Sequence, residues 1–144
     1  MAAPANDFIQ FVANGGFISV EQADRVREES SRSRESIVAV MRRLQLVPEN
    51  VLLEQLSDFH GVPYLELEGF LVDHSSLELL PVDVVRSHHV VPLFVSNQNL
   101  SLGIADPTNT LAIDAVSSLT HLEVDPVLCS EEALEKAIEQ YYVD

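Results

Sequence analysis

The stretch VVPLFVSNQNLSLGIADPTN, Val90 to Asn109, decides how this chain folds. Val91, Leu93 and Val95 alternate with other residues, a polar Ser96-Asn97-Gln98-Asn99 break follows, and Leu100, Leu102 and Ile104 resume the alternation. Period-two apolar runs on either side of a short polar break predict two strands joined by a tight turn. At Ala105-Asp106-Pro107-Thr108-Asn109 the sheet is left: Pro107 has no backbone donor, and Asp, Thr and Asn side chains satisfy turns and cap helices. A helix is expected to begin between Thr108 and Thr110.

Working downstream, Leu111, Ile113, Ala115, Val116 and Leu119 form the expected apolar side of that helix. Residues 122–129 read as a third strand, with Pro126 placing it at an edge or a bulge. Ser130-Glu131-Glu132 opens a last helix whose apolar side is Ala133, Leu134, Ala137, Ile138 and Tyr141, and its early carboxylates suit the helix dipole. Upstream of the hairpin, Pro81 starts a short helix to about Ser87, Ser75-Ser76-Leu77-Glu78 caps a single turn, and Tyr64-Leu65-Glu66-Leu67 is extended.

Before Gly61-Val62-Pro63 the spacing changes from two to three and four. Residues 1–6 read as a loose lead-in of small residues. Phe8, Phe11 and Val12 mark a first helix, ended by Gly15-Gly16. Ser19-Val20-Glu21-Gln22 is a capping box for a second, running to about Ser30, and SSRSRES reads as a polar connector. Ile37, Val40, Met41 and Leu44 give a third helix, and Pro48-Glu49 opens a fourth with Leu52, Leu53, Leu56 and Phe59 inward. Gly16-Phe17-Ile18-Ser19 matches Gln45-Leu46-Val47-Pro48 at a period of about 29 residues, which suggests a duplicated helix-turn-helix. The expected fold is α+β: a four-helix unit of two such halves over residues 1–60, then a small α/β sandwich over 61–144 with a three-stranded, mostly antiparallel sheet.

The 144 residues suffice for one domain or two small ones, and at 47% apolar residues disorder is excluded. The net charge of -15 is uneven. Residues 1–60 hold six basic against nine acidic residues, or -3, leaving two against fourteen, or -12, for the remainder. Such a charge argues against nucleic acid and anionic lipid as partners. The single cysteine, Cys129, allows no internal disulfide and reads as a buried thiol in a reducing compartment. No apolar run approaches the roughly 20 residues of a membrane span, and MAAPANDFIQ has no signal-peptide pattern, so a cytoplasmic chain, at most peripheral to a membrane, is expected.

The landmarks Gly61-Val62-Pro63-Tyr64, Leu80-Pro81, Val90-Val91-Pro92-Leu93, Ala105-Asp106-Pro107-Thr108-Asn109 and Ile138-Glu139-Gln140-Tyr141 together resemble the N-terminal domain of the assembly ATPases of type II secretion and type IV pili, of the GspE/PilB type. The two helix-turn-helix halves resemble what precedes that domain in many members. The resemblance implies a three-stranded α/β sandwich tethered to a separate or fused motor, docking on the cytoplasmic domain of an inner-membrane platform protein. It also implies an alternative, a cyclic di-GMP sensor, since some members bind that ligand through paired motifs with a leading Arg-Leu-Gly, a central Gly and a final Gln. Here the first copy has Asp7-Phe8-Ile9, Gly16 and Ser30 at those places, and the second has Ser36-Ile37-Val38, Gln45 and Phe59. Without the arginines that meet phosphate or stack on guanine, cyclic di-GMP binding is not expected. Phe8, Phe11 and Phe17 read as core residues.

No enzymatic site is legible. There is no G-x-x-x-x-G-K-[ST] loop, no nucleophile beside a base, and no cofactor motif. His88-His89, with His60, His74 and His121, invites a metal reading, but adjacent side chains diverge and no ligand spacing supports it, so they read as solvent-facing or helix-end histidines. Asp106 reads as a turn carboxylate. The basic cluster Arg32, Arg34, Arg42 and Arg43 is a charged helix face and the candidate partner-docking site in an otherwise acidic protein.

Overall fold

The computed structural model describes residues 5–142, with side chains from Phe8 onward. Its contacts divide the chain into two compact units, one ending at Gly61 and the next beginning at Val62. Of the expected lead-in, residues 1–4 lie outside the described residues, whereas Ala5 and Asn6 already belong to the first helix.

The first unit consists of α1 (Ala5–Asn14), α2 (Val20–Ser33), α3 (Ile37–Leu44) and α4 (Glu49–His60). The capping box is present: Ser19 Oγ accepts from Gln22 N–H, and the Gln22 side chain accepts from Ser19 N–H. The duplication is visible in the backbone, because Gly16 and Gln45 both adopt left-handed angles (φ 82 and 52) and Ser19 and Pro48 both precede a helix. Phe8, Ile9, Val12, Val26, Val40, Met41, Leu53 and Leu56 are buried. Two expectations are corrected. Helix α2 continues through Ser33 to a left-handed Arg34, because Ser30 and Ser33 hydroxyls donate to the Glu35 and Glu29 carbonyls and help close its last turn. Phe17 is 43% exposed and lies over Gly15, outside the core.

The second unit begins with extended residues 63–65, then α5 (His74–Leu77), α6 (Val82–His88), β1 (Val91–Ser96), β2 (Asn99–Ile104), α7 (Thr110–Thr120), β3 (Glu123–Leu128) and α8 (Glu131–Tyr141). The turn between β1 and β2 places Asn97 and Gln98 at positive φ (51 and 69), the two-residue geometry whose twist matches a hairpin. The α+β class and the three strands are those expected, within one residue at each end. The strand directions differ from the expected mostly antiparallel sheet: β1 and β2 are antiparallel, but β3 runs parallel to β2, in the order β1-β2-β3. The cause is α7, which carries the chain back to the starting end of β2, as a parallel pair requires.

Pro126 lies in the edge strand β3 opposite Leu102. Past it, where donors resume, Leu128 N–H donates to Pro63 O and Leu65 N–H to Leu128 O, both at 2.8 Å. At the other edge, Asp73 N–H donates to Leu93 O (3.2 Å). Asp73, rather than Ser75, caps α5. The core gathers Leu77, Leu80, Val85, Val91, Leu93, Leu100, Leu102, Ile104, Ala112, Val116, Leu134 and Ile138. On α7 the expected apolar side is corrected: Ala112 and Val116 are buried, whereas Leu111 and Leu119 are 74% and 52% exposed. Beyond α8, Tyr142 Oη donates to Leu77 O and Arg86 Nη2 donates to Tyr142 O, each at 3.0 Å.

Candidate functional site

The four arginines lie at the end of α2 and along α3, and the fold gives them unequal roles. Arg42 is a strut: its side chain is only 12% exposed, and Nε donates to Glu49 Oε1 (2.8 Å), tying α3 to the first turn of α4. Arg43 donates to Glu29 Oε2 (2.9 Å) and Glu35 Oε1 (2.7 Å). Arg32 Nε donates to Glu29 Oε1 (3.1 Å). Arg32 and Arg43 therefore meet on one carboxylate, and α2 is laced to α3. Arg34, at the left-handed end of α2, is exposed.

The electrostatics follow from this lacing. The guanidiniums of Arg32 and Arg43 hold the Glu29 carboxyl below the ordinary carboxylate value, and that of Arg43 does the same for Glu35. Conversely, Glu35 and Glu29 raise the Arg43 guanidinium. The surface is thus a mixed network with Arg34 at its rim, not a bare cationic patch.

The ligand-motif positions carry other duties. Phe8 and Ile9 are buried, and Phe59 packs on the rings of Phe8 and Phe11 at centroid distances of 5.5 and 5.2 Å. Ser30 Oγ donates to Glu35 O (2.7 Å), and Ser36 Oγ caps α3 by accepting from Ala39 N–H (3.1 Å). The Asp7 side chain lies outside the described residues. Gln45 keeps the left-handed backbone that a glycine adopts most readily and ends α3, its N–H donating to Arg42 O.

Asp106 accepts from Thr108 N–H (2.9 Å) and Thr108 Oγ1 (2.6 Å), the turn role expected of it. Among the described residues no three His, Cys, Asp or Glu side chains are grouped as a metal site. Cys129 is fully buried and its thiol is pushed up to about 12 by that burial. Sequence reasoning missed a groove of about 430 Å³ between residues 67–71 and α8, lined by Leu67, Phe70, Leu71, Ala133, Lys136 and Tyr141. The available signal was Gly69-Phe70-Leu71-Val72, three apolar residues after a glycine in a run without period, of which Leu71 proves 89% exposed. No described helix is long and apolar enough to cross a membrane.

Residues 60–144 match the MshEN domain family. The chain is 30% identical over 135 residues to a type IV pilus assembly ATPase PilB of Myxococcus xanthus, covering 94% of this chain and 24% of that protein. It is 25% identical over 143 residues to the PilB of Pseudomonas aeruginosa, covering 95% and 25%. The chain thus spans about a quarter of the length of these curated relatives. Among solved structures, it superposes on MshE with cdg at a TM-score of 0.82 and 20% identity, covering 98% of this chain and 100% of that one. It superposes on the N-terminal domain of XpsE at 0.81 and 22%, covering 98% and 99%. At these identities the likeness is one of fold.

Proposed function

The chain belongs to the MshEN domain family, and from that membership we propose that it is a non-enzymatic docking module that attaches a type II secretion or type IV pilus motor to the cytoplasmic domain of an inner-membrane platform protein. It works in the cytoplasm, peripheral to the inner membrane, beside a separate or fused ATPase motor. Its relatives are pilus assembly ATPases, while the 144 residues themselves contain no P-loop. The observation that carries the reading is the arginine-bearing surface of α2 and α3, where an otherwise acidic protein offers cations. Arg32, Arg34 and Arg43 meet the partner, and Arg42 holds α3 and α4 in the geometry that presents them.

The competing reading is a cyclic di-GMP sensor, favoured by the likeness to MshE solved with cdg and by the paired left-handed turns at Gly16 and Gln45. Against it stand the missing arginines and the core roles of Phe8, Ile9 and Phe59. One experiment separates the two. The 144-residue chain is titrated calorimetrically with the cytoplasmic domain of a platform protein and, separately, with cyclic di-GMP at hundreds of micromolar. Docking predicts that R32E/R34E weakens the protein partner about tenfold without changing the circular-dichroism spectrum, since exposed charges steer association more than they stabilise a fold. R42E is expected instead to lower the melting temperature, because a largely buried charged hydrogen bond is worth about 1.5–3 kcal/mol. Unchanged protein binding by R32E/R34E refutes the arginine surface, and a one-site curve with the nucleotide moves the assignment to the sensor.

A further inference from the structure

We propose that the outer face of α7 is a second docking strip, and that its occupant is a cationic amphipathic helix of a partner protein. Leu111, Ala115 and Leu119 stand at intervals of four along α7, so the two leucines are roughly 12 Å apart on one side of the helix. They are not spare core residues. Ala112 and Val116 already seal the helix against the rest of its unit, leaving Leu111 and Leu119 74% and 52% exposed. Leucines about two turns apart, with a small alanine between them, are a spacing at which a second helix lays its own apolar anchors.

The charge around the strip selects the occupant. Residues 62–144 hold fourteen acidic residues against Arg86 and Lys136, and both cations are engaged, Arg86 with the Tyr142 carbonyl and Lys136 with Glu132. Asp114 is exposed on α7, and Glu123 and Asp125 are exposed on β3, against which α7 packs. Apolar anchors on a unit whose acidic residues outnumber its cations fourteen to two, with Asp114 on the same helix, favour a helix with leucine-like residues on one side and lysine or arginine on the flanks. A second copy of the chain would bring a charge of -15 against -15, and an anionic lipid surface is repelled in the same way. The strip lies in a different unit from the arginine surface, so each interface stands or falls alone.

The probe is a labelled 18-residue peptide of leucine and lysine in amphipathic order, with a scrambled peptide of the same composition. By fluorescence anisotropy the full chain is expected to bind the ordered peptide at least about tenfold more tightly than the scrambled one, the increment expected from burying the two leucines. L111S/L119S should abolish that preference with an unchanged melting temperature, and L111M/L119M should retain it. The proposal is overturned if the chain does not distinguish the two peptides, or if L111S/L119S keeps the preference. It is overturned equally if sedimentation finds a dimer that L111S/L119S dissolves, or if the chain floats with phosphatidylglycerol vesicles through these leucines.

Discussion

Gly103 occupies the one place in β2 where a side chain has nowhere to go. A Cβ there would stand 3.2 Å from Leu134 Cδ2, 3.3 Å from Cys129 Sγ and 3.4 Å from Val91 O. Leu134 and Cys129 are fully buried, so neither can swing into solvent. G103A is therefore expected to destabilise the chain by roughly 1 kcal/mol, overpacking outweighing the smaller gain from a stiffer unfolded chain. A thermal melt checks this: the variant should melt several degrees lower, and an unchanged midpoint would mean that α8 lifts freely from the sheet. At this scale the sequence was informative wherever chemistry is local. The Ser19-Gln22 box, the Asp106 turn and the buried Cys129 are each recognisable from a few neighbouring residues. The closeness of Leu134 to Gly103 is not, because 31 positions of chain separate them and only packing sets the distance.

Helices α2 and α3 are joined by surface charge as well as by the packing of Ala23, Val26, Val40 and Met41 in their unit. Glu29 meets Arg43 across 14 residues, and Glu35 meets it across eight. Both carboxyls are held below their ordinary value by hydrogen bonds from arginine, so their contribution is present above the unfolded value and is lost as pH falls through the folded one. The melting temperature of the helical unit should accordingly hold from neutral pH to about 5 and fall below about 4.5, and E29Q/E35Q should flatten that fall. An identical acid limb in the double variant would assign the loss to other carboxylates. Both salt bridges join residues that the sequence places in separate elements, which is why the arginines looked like a free basic face. The direction of β3 was hidden for a similar reason. Alternation marks residues 123–128 as a strand, yet only the path of the intervening α7 fixes which way it runs. On α7 itself, Leu111, Ala115 and Leu119 follow the same four-residue step as Ala112 and Val116, so periodicity offers two stripes and only packing decides which is covered.

The described chain is two units, and the buried cluster of the second is drawn from residues 67–142. A fragment comprising residues 62–144 is therefore expected to fold alone. Its Cys129, the single thiol, should resist alkylation at neutral pH to the same degree as expected for the full chain, since burial pushes that group up to about 12 and removes it from solvent. Prompt labelling of the fragment, against protection in the full chain, would show that the helical unit is needed to close the core. The contacts divide between Gly61 and Val62, next to the place where the apolar period of the sequence changes. The final residues of the second unit have a mechanical meaning. Tyr142 is held at its amide by Ile138, at its carbonyl by Arg86 of α6 and at its hydroxyl by Leu77 of α5, while Asp73, the cap of α5, is bonded to the free edge of β1. Tension applied at Tyr142 is thus divided among α5, α6 and α8 and passes through Asp73 into the sheet. Pulled from this point the unit is expected to load these hydrogen bonds together rather than one after another.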